Sequence, residues 1–77
     1  MQNQYKNNMV TTVAAPLFIY PLDLKKIYTH LTSDSGCYKK YHDIKVSQGI
    51  TRQYLTVTEF CKAEDLVKDE VIILLVQ

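Results

Sequence analysis

The densest set of chemically capable side chains lies between Ser33 and Lys45, where the chain reads SDSGCYKKYHDIK and holds two tyrosines, three lysines and a histidine. A core-filling segment has no use for so many polar ends. Lysine ammonium groups neutralise phosphates, while hydroxyl and imidazole groups on one exposed helix face can reach base edges. Tyrosines also suit a protein interface, because each joins a large apolar body to a polar tip. Catalysis has no comparable pattern. The sequence contains no phosphate-cradling glycine loop, no HExxH and no nucleophile elbow. His30 and His42 fall within helical patterns, and Cys37 and Cys61 are isolated thiols without CxxC spacing. Neither a cysteine–histidine nucleophile nor a zinc site is expected from them. The chain reads as a non-enzyme that needs no cofactor and no metal.

The elements that must carry these side chains follow from periodicity. Leu24, Ile27, Tyr28 and Leu31 recur at i, i+3, i+4 and i+7, which predicts a first helix from about Pro21 to Thr32. TSDSG then supplies cap-forming residues, so a very short turn leads into a second helix with Ser33, Asp34 or Ser35 as N-cap. Cys37, Tyr41 and Ile44 share the apolar face of that helix, which leaves Lys39, Lys40, His42 and Asp43 outside. Gly49 is available for a left-handed turn at its end, and SQGITRQ forms a loop.

LFIY and QYLTV have strand-like composition and can pair as a ribbon. Thr56 and Glu59 have capping-box spacing before Phe60, Cys61 and Ala63, which starts a short third helix. Asp69 and Glu70 suit the start of a last helix through Val71 to Val76, although VIILLV would satisfy a buried strand equally well. DLKKI at residues 23–27 is faintly echoed by EFCKA at residues 59–63, each after an aromatic, extended run. The expected fold is mainly α: a compact helix-turn-helix-like domain of three to four helices, with room for a two-stranded β-ribbon from residues 17–20 and 53–56. Leu24, Ile27, Leu31, Ile44, Leu55, Phe60, Leu66 and Ile72 should share its core.

With 77 residues the chain has room for one small core, so residues 1–15 read as a flexible leader and residues 16–77 as a single domain. The net charge of +1 hides segregation: residues 1–32 and 33–55 each carry +2, and residues 56–77 carry −3. The first residues lack the charged start, long apolar run and cleavage site of a secretory signal, so a cytoplasmic location with reduced, unpaired cysteines is expected. VIILLV is far shorter than the roughly 20 apolar residues of a membrane-spanning helix, and no membrane partner is expected.

Helix, polar turn and a second helix with basic and aromatic exposed ends is the order of a helix-turn-helix, whose second helix enters the major groove. Ser35, Tyr38 and Lys39 would then lie in its first exposed turns, His42 one turn further on, and Lys40, Lys45 and Arg52 would meet phosphates. DLKKIYTHLTSDSGCYKKYHDIK followed by RQYLTVTEFCKAEDL resembles a group of small, mostly uncharacterised bacterial proteins related to helix-turn-helix DNA-binding domains. Their pattern has a DLA-type first helix, a Ser-containing turn, a second helix ending in Ile-Arg or Ile-Lys, and a QYLTVxEFCxxxGL segment. The likeness spans residues 20–76, and QYLTVTEFC is its most specific part.

The resemblance implies the fold and a role in transcription regulation, with duplex DNA as the partner. The departures fall where bases would be read: such helices are usually richer in arginine and glutamine, whereas Gly36, Cys37, Tyr38 and Tyr41 stand here. Asp65 stands where the pattern has glycine. Two readings leave this stage: a DNA-binding accessory or regulatory protein using the helix near residues 35–45, and a protein-interaction module or homodimer using its tyrosines and apolar C-terminus.

Overall fold

Pro21 sets the first boundary of the fold. Its ring disfavours the helical region for the residue before it, and Tyr20 is accordingly extended at φ −108° and ψ 159°. Strand β1 (Phe18–Ile19) ends there, a 3-10 turn covers Pro21–Asp23, and helix α1 follows over Leu24–Ile27. The Asp23 carboxylate accepts the Tyr20 backbone N–H at 2.9 Å, so the turn is capped at its start. The computed structural model describes residues 16–77. The expected leader, residues 1–15, lies outside the described residues.

The first helix is shorter than its periodicity predicts. It stops at Ile27 rather than Thr32, and Tyr28 takes φ −113° and ψ 102°. Tyr28 leaves the helix to make tertiary contacts: its hydroxyl donates to Glu64, and its ring lies 6.4 Å from that of Phe60. The connection to the next helix is therefore the six-residue span Tyr28–Ser33, not a very short turn.

Helix α2 (Asp34–Ser47) begins at the first of the three candidate caps, with the Ser33 hydroxyl accepting the Gly36 N–H at 3.1 Å. It ends in a left-handed Gly49 at φ 66°. The Ile50 amide donates to Lys45 and the Gly49 amide to Val46, which satisfies carbonyls that the helix end would otherwise leave open. Strand β2 (Leu55–Thr56) runs directly into helix α3 (Val57–Glu64). Thr56 and Glu59 form the expected capping box: Thr56 Oγ1 accepts the Glu59 amide at 3.0 Å and Glu59 accepts the Thr56 amide at 2.8 Å.

Three residues then turn the chain into helix α4 (Lys68–Leu75), with Asp65 left-handed at φ 56° and ψ 50°. The last apolar run is thus a helix and not a strand. Val71 is buried and Ile72 and Leu75 pack against the core, whereas Ile73 and Val76 point outward, as helical periodicity allows. Asp69 and Glu70 lie in its first turn, where the helix dipole favours them.

The strands pair antiparallel, with Phe18 opposite Thr56 and Ile19 opposite Leu55. Laying Asp23 on Glu59 also lays Ile19 on Leu55, so the faint sequence echo has a structural counterpart. Each strand feeds a helical segment whose third residue, Asp23 or Glu59, caps it with a carboxylate.

The architecture is mainly α, with four helices and one two-stranded sheet among the described residues. Ten buried residues form one cluster that includes the expected Leu24, Ile44, Leu55 and Phe60. The expected Ile27, Leu31, Leu66 and Ile72 are partly buried and packed against it. Ile19, Val57 and Val71 complete it from the ribbon and the two last helices, together with Cys37, Tyr41 and Cys61. Both cysteines are unpaired and buried.

Candidate functional site

Tyr38, His42 and Lys45 recur at i, i+4 and i+7 on α2 and line one side of a groove of about 470 Å³. Tyr20, Pro21 and Leu22 reach it from the junction between β1 and the 3-10 turn. Gln53 and Tyr54 reach it from the approach to β2, and the buried Tyr41 completes the lining. Three separate stretches of chain therefore converge on one concave surface.

Two contacts fix this convergence. Tyr41 donates its hydroxyl to the Ile19 carbonyl at 2.5 Å and accepts the Leu55 amide at 2.6 Å, which ties α2 to both strands at their paired residues. Burial pushes its phenol above the ordinary value, so it is a neutral hydroxyl. Tyr20 and Tyr54 lie opposite each other just beyond the ladder, ring centroids 4.8 Å apart in an edge-to-face arrangement. Tyr54 is half-buried by this contact, whereas Tyr20 is 48% exposed and Tyr38 on α2 is 55% exposed.

The expected DNA-contacting residues separate into two groups. Tyr38, His42 and Lys45 come together at the groove. Ser35 is exposed near the start of α2, its hydroxyl 3.5 Å from that of Ser33, and does not line the groove. Lys39 pairs with Asp43 at 3.2 Å along its own helix. Lys40 meets Glu64 of α3 at 3.0 Å and lies 5.4 Å from the centre of the Tyr28 ring. Arg52 grips both carboxylate oxygens of Glu59, at 2.6 and 2.7 Å. Lys45 donates to the Gln53 carbonyl at 3.0 Å.

These partnerships have an electrostatic signature. Arg52, with the Thr56 backbone amide, holds the Glu59 carboxyl down to about 2. Burial alone would raise Glu64, but the Tyr28 hydroxyl and Lys40 outweigh it and hold that carboxyl below its ordinary value. Burial and the Glu64 carboxylate together push Tyr28 well above the usual phenol range. Lys40 and Arg52 are thus built into contacts between elements, whereas the Lys39–Asp43 pair is a solvated one worth roughly 0.3–0.5 kcal/mol.

Sequence reasoning did not place Tyr20, Gln53 or Tyr54 in a site. The available signal was the expected ribbon of residues 17–20 and 53–56, since antiparallel pairing of those runs brings Tyr20 beside Tyr54. Among the described residues no group of three or more His, Cys, Asp or Glu side chains is placed to hold a metal ion, and no helix is long and apolar enough to cross a membrane. No family model matches the chain, and neither a curated protein nor a solved structure is significantly similar to it.

Proposed function

We propose that the protein is a protein-interaction module that docks a partner segment in the tyrosine-lined groove. The observation that carries this reading is the division of labour among the candidate residues. Lys39, Lys40 and Arg52 spend their charge on Asp43, Glu64 and Glu59, while Tyr20 and Tyr38 keep large aromatic surfaces open beside the groove. Lys6 is the one basic residue outside the described residues, and within them basic and acidic residues balance. Affinity for duplex DNA draws mostly on cations that release counterions from phosphates. A balanced surface on which Lys25, Lys39, Lys40 and Arg52 already face carboxylates supplies little of it.

Helix geometry supports the same side. A helix-turn-helix joins its helices through about three or four residues. The pair with such a turn is α3–α4, and the first turn of α4 carries Asp69 and Glu70, whose carboxylates repel phosphate and outnumber its one cation, Lys68. The pair that carries the candidate residues is α1–α2, joined by the six residues Tyr28–Ser33, with α1 only about one turn long. Duplex reading by α2, the role that the helix-turn-helix resemblance implies, is the competing proposal.

One pair of measurements separates them. Selection from a displayed library of random peptides should enrich sequences bound by the unmodified protein and lost by Tyr38→Ala, while the double variant Lys40→Ala/Lys45→Ala should keep part of that binding. Duplex DNA titrated at two ionic strengths should show no steep salt-dependent affinity. A slope of about 0.9 per phosphate contact, reduced in the double lysine variant, would overturn the docking reading in favour of DNA.

A further inference from the structure

We infer that the groove takes an extended, proline-bearing peptide with an acidic side chain, held as a polyproline II helix; this rests on the docking reading above. A polyproline II segment has no internal hydrogen bonds and little entropy to lose, and aromatic-lined grooves recognise it by seating its rings against their own. Tyr20 and Tyr54 meet edge to face at an interplanar angle of 79°, which forms a notch of ring surfaces, and Tyr38 adds a further ring from a different element. Tyr41 is buried and its hydroxyl is already occupied by Ile19 and Leu55, so it backs the groove and leaves ligand contact to the exposed rings. The groove volume of about 470 Å³ lies within the range of about 300–1,000 Å³ usual for compact ligand sites.

Charge selects among peptides. No carboxylate lines the groove, whereas Lys45 and His42 both do. Lys45 spends one ammonium hydrogen on the Gln53 carbonyl, and an ammonium has three, so two remain for an incoming carboxylate. A single nucleic-acid strand would also stack on tyrosines, but it needs a row of cations along its backbone. Lys45 is the one lysine or arginine in this lining.

The test uses the intact protein, labelled with nitrogen-15, and four probes: a Pro-Pro-Glu repeat peptide, its Pro-Pro-Lys and Ala-Ala-Glu counterparts, and oligothymidylate. The Pro-Pro-Glu peptide should shift the amide resonances of Tyr38, His42, Lys45, Gln53 and Tyr54. It should bind about tenfold more tightly than either counterpart: the Pro-Pro-Lys peptide lacks the charged contact with Lys45, and the Ala-Ala-Glu peptide lacks the preformed rings. Tyr38→Ala, at an exposed position and with an unchanged thermal transition as its folding control, should weaken it by a similar factor. Lys45→Glu should reverse the preference toward the Pro-Pro-Lys peptide, which a merely structural lysine would not do. Equal binding of Ala-Ala-Glu and Pro-Pro-Glu, or no groove shift with any of the three peptides while library peptides still bind there, overturns the ligand assignment and leaves the docking reading standing. Groove shifts with oligothymidylate alone overturn both.

Discussion

Tyr41 donates its hydroxyl hydrogen to the carbonyl of Ile19 at 2.5 Å, across 22 residues of chain, and the same oxygen accepts the Leu55 amide at 2.6 Å. One buried side chain thus serves both strands at the residues paired across the ladder, and it holds the groove's helix against the groove's ribbon.

Tyr41→Phe keeps the ring and removes the bridge, leaving a backbone carbonyl and a backbone amide without their shared partner. A loss of about 1–3 kcal/mol is expected. In a domain of this size each kilocalorie lowers the melting temperature by roughly 4–8 °C. Thermal unfolding followed by circular dichroism measures it, and an unchanged transition would mean that the bridge contributes nothing.

Asp65 sits in the left-handed region at φ 56°, where a side chain costs energy and glycine does not. Asp65→Gly should stabilise the protein by up to about 1 kcal/mol, the relieved strain being partly offset by a more flexible unfolded chain. Asp65→Val should destabilise it. Urea midpoints of the two variants on either side of the unmodified protein are the expected result.

Glu59 links stability to pH. Its carboxyl is held at about 2 against an ordinary 4.5 by Arg52 and the Thr56 amide. Between those values the unfolded chain binds the proton first. The contribution is therefore fully present above 4.5 and lost as the pH falls toward about 2. Urea midpoints recorded through this window should fall more steeply for the unmodified protein than for Glu59→Gln, which cannot titrate.

Cys37 and Cys61 are unpaired, with only 0% and 6% of their surface exposed, and burial raises the Cys61 thiol above its ordinary value. Little thiolate reaches solvent in the folded protein. Labelling by a thiol reagent should therefore track unfolding, being slow in native buffer and complete in urea. Rapid native labelling of either residue would contradict the packing described here.

Caps and periodic faces were legible in the chain because they are local. Ser33 as N-cap, the Thr56–Glu59 box, the turn at Gly49 and the buried face Cys37–Tyr41–Ile44 each depend on residues within about two turns of one another. The pairing of the two short strands was legible for a similar reason, as two β-prone runs in a chain with few other partners. Long-range competition was not legible. Tyr28 fits the periodic face of a longer first helix, but the chain leaves that helix so that its ring and hydroxyl can reach Phe60 and Glu64. VIILLV fits strand and helix alike, and packing Val71, Ile72 and Leu75 on the existing core chose helix.

The same division holds for the site. Sequence alone determined that Cys37, Tyr41 and Ile44 would face inward and leave the polar stripe of α2 outside, because helical periodicity fixes which residues share a face. Tertiary structure decided what that stripe would meet: Tyr20 and Tyr54 from two distant segments on one side of it, and internal carboxylates for Lys40 and Arg52 elsewhere. A cation's partner is set by three-dimensional distance, since Coulomb attraction and hydrogen bonding act over a few ångströms of space and are blind to separation along the chain. Lysine and arginine side chains that looked free for phosphate in the linear order were therefore claimed by Glu64 and Glu59, and only folding could make that assignment.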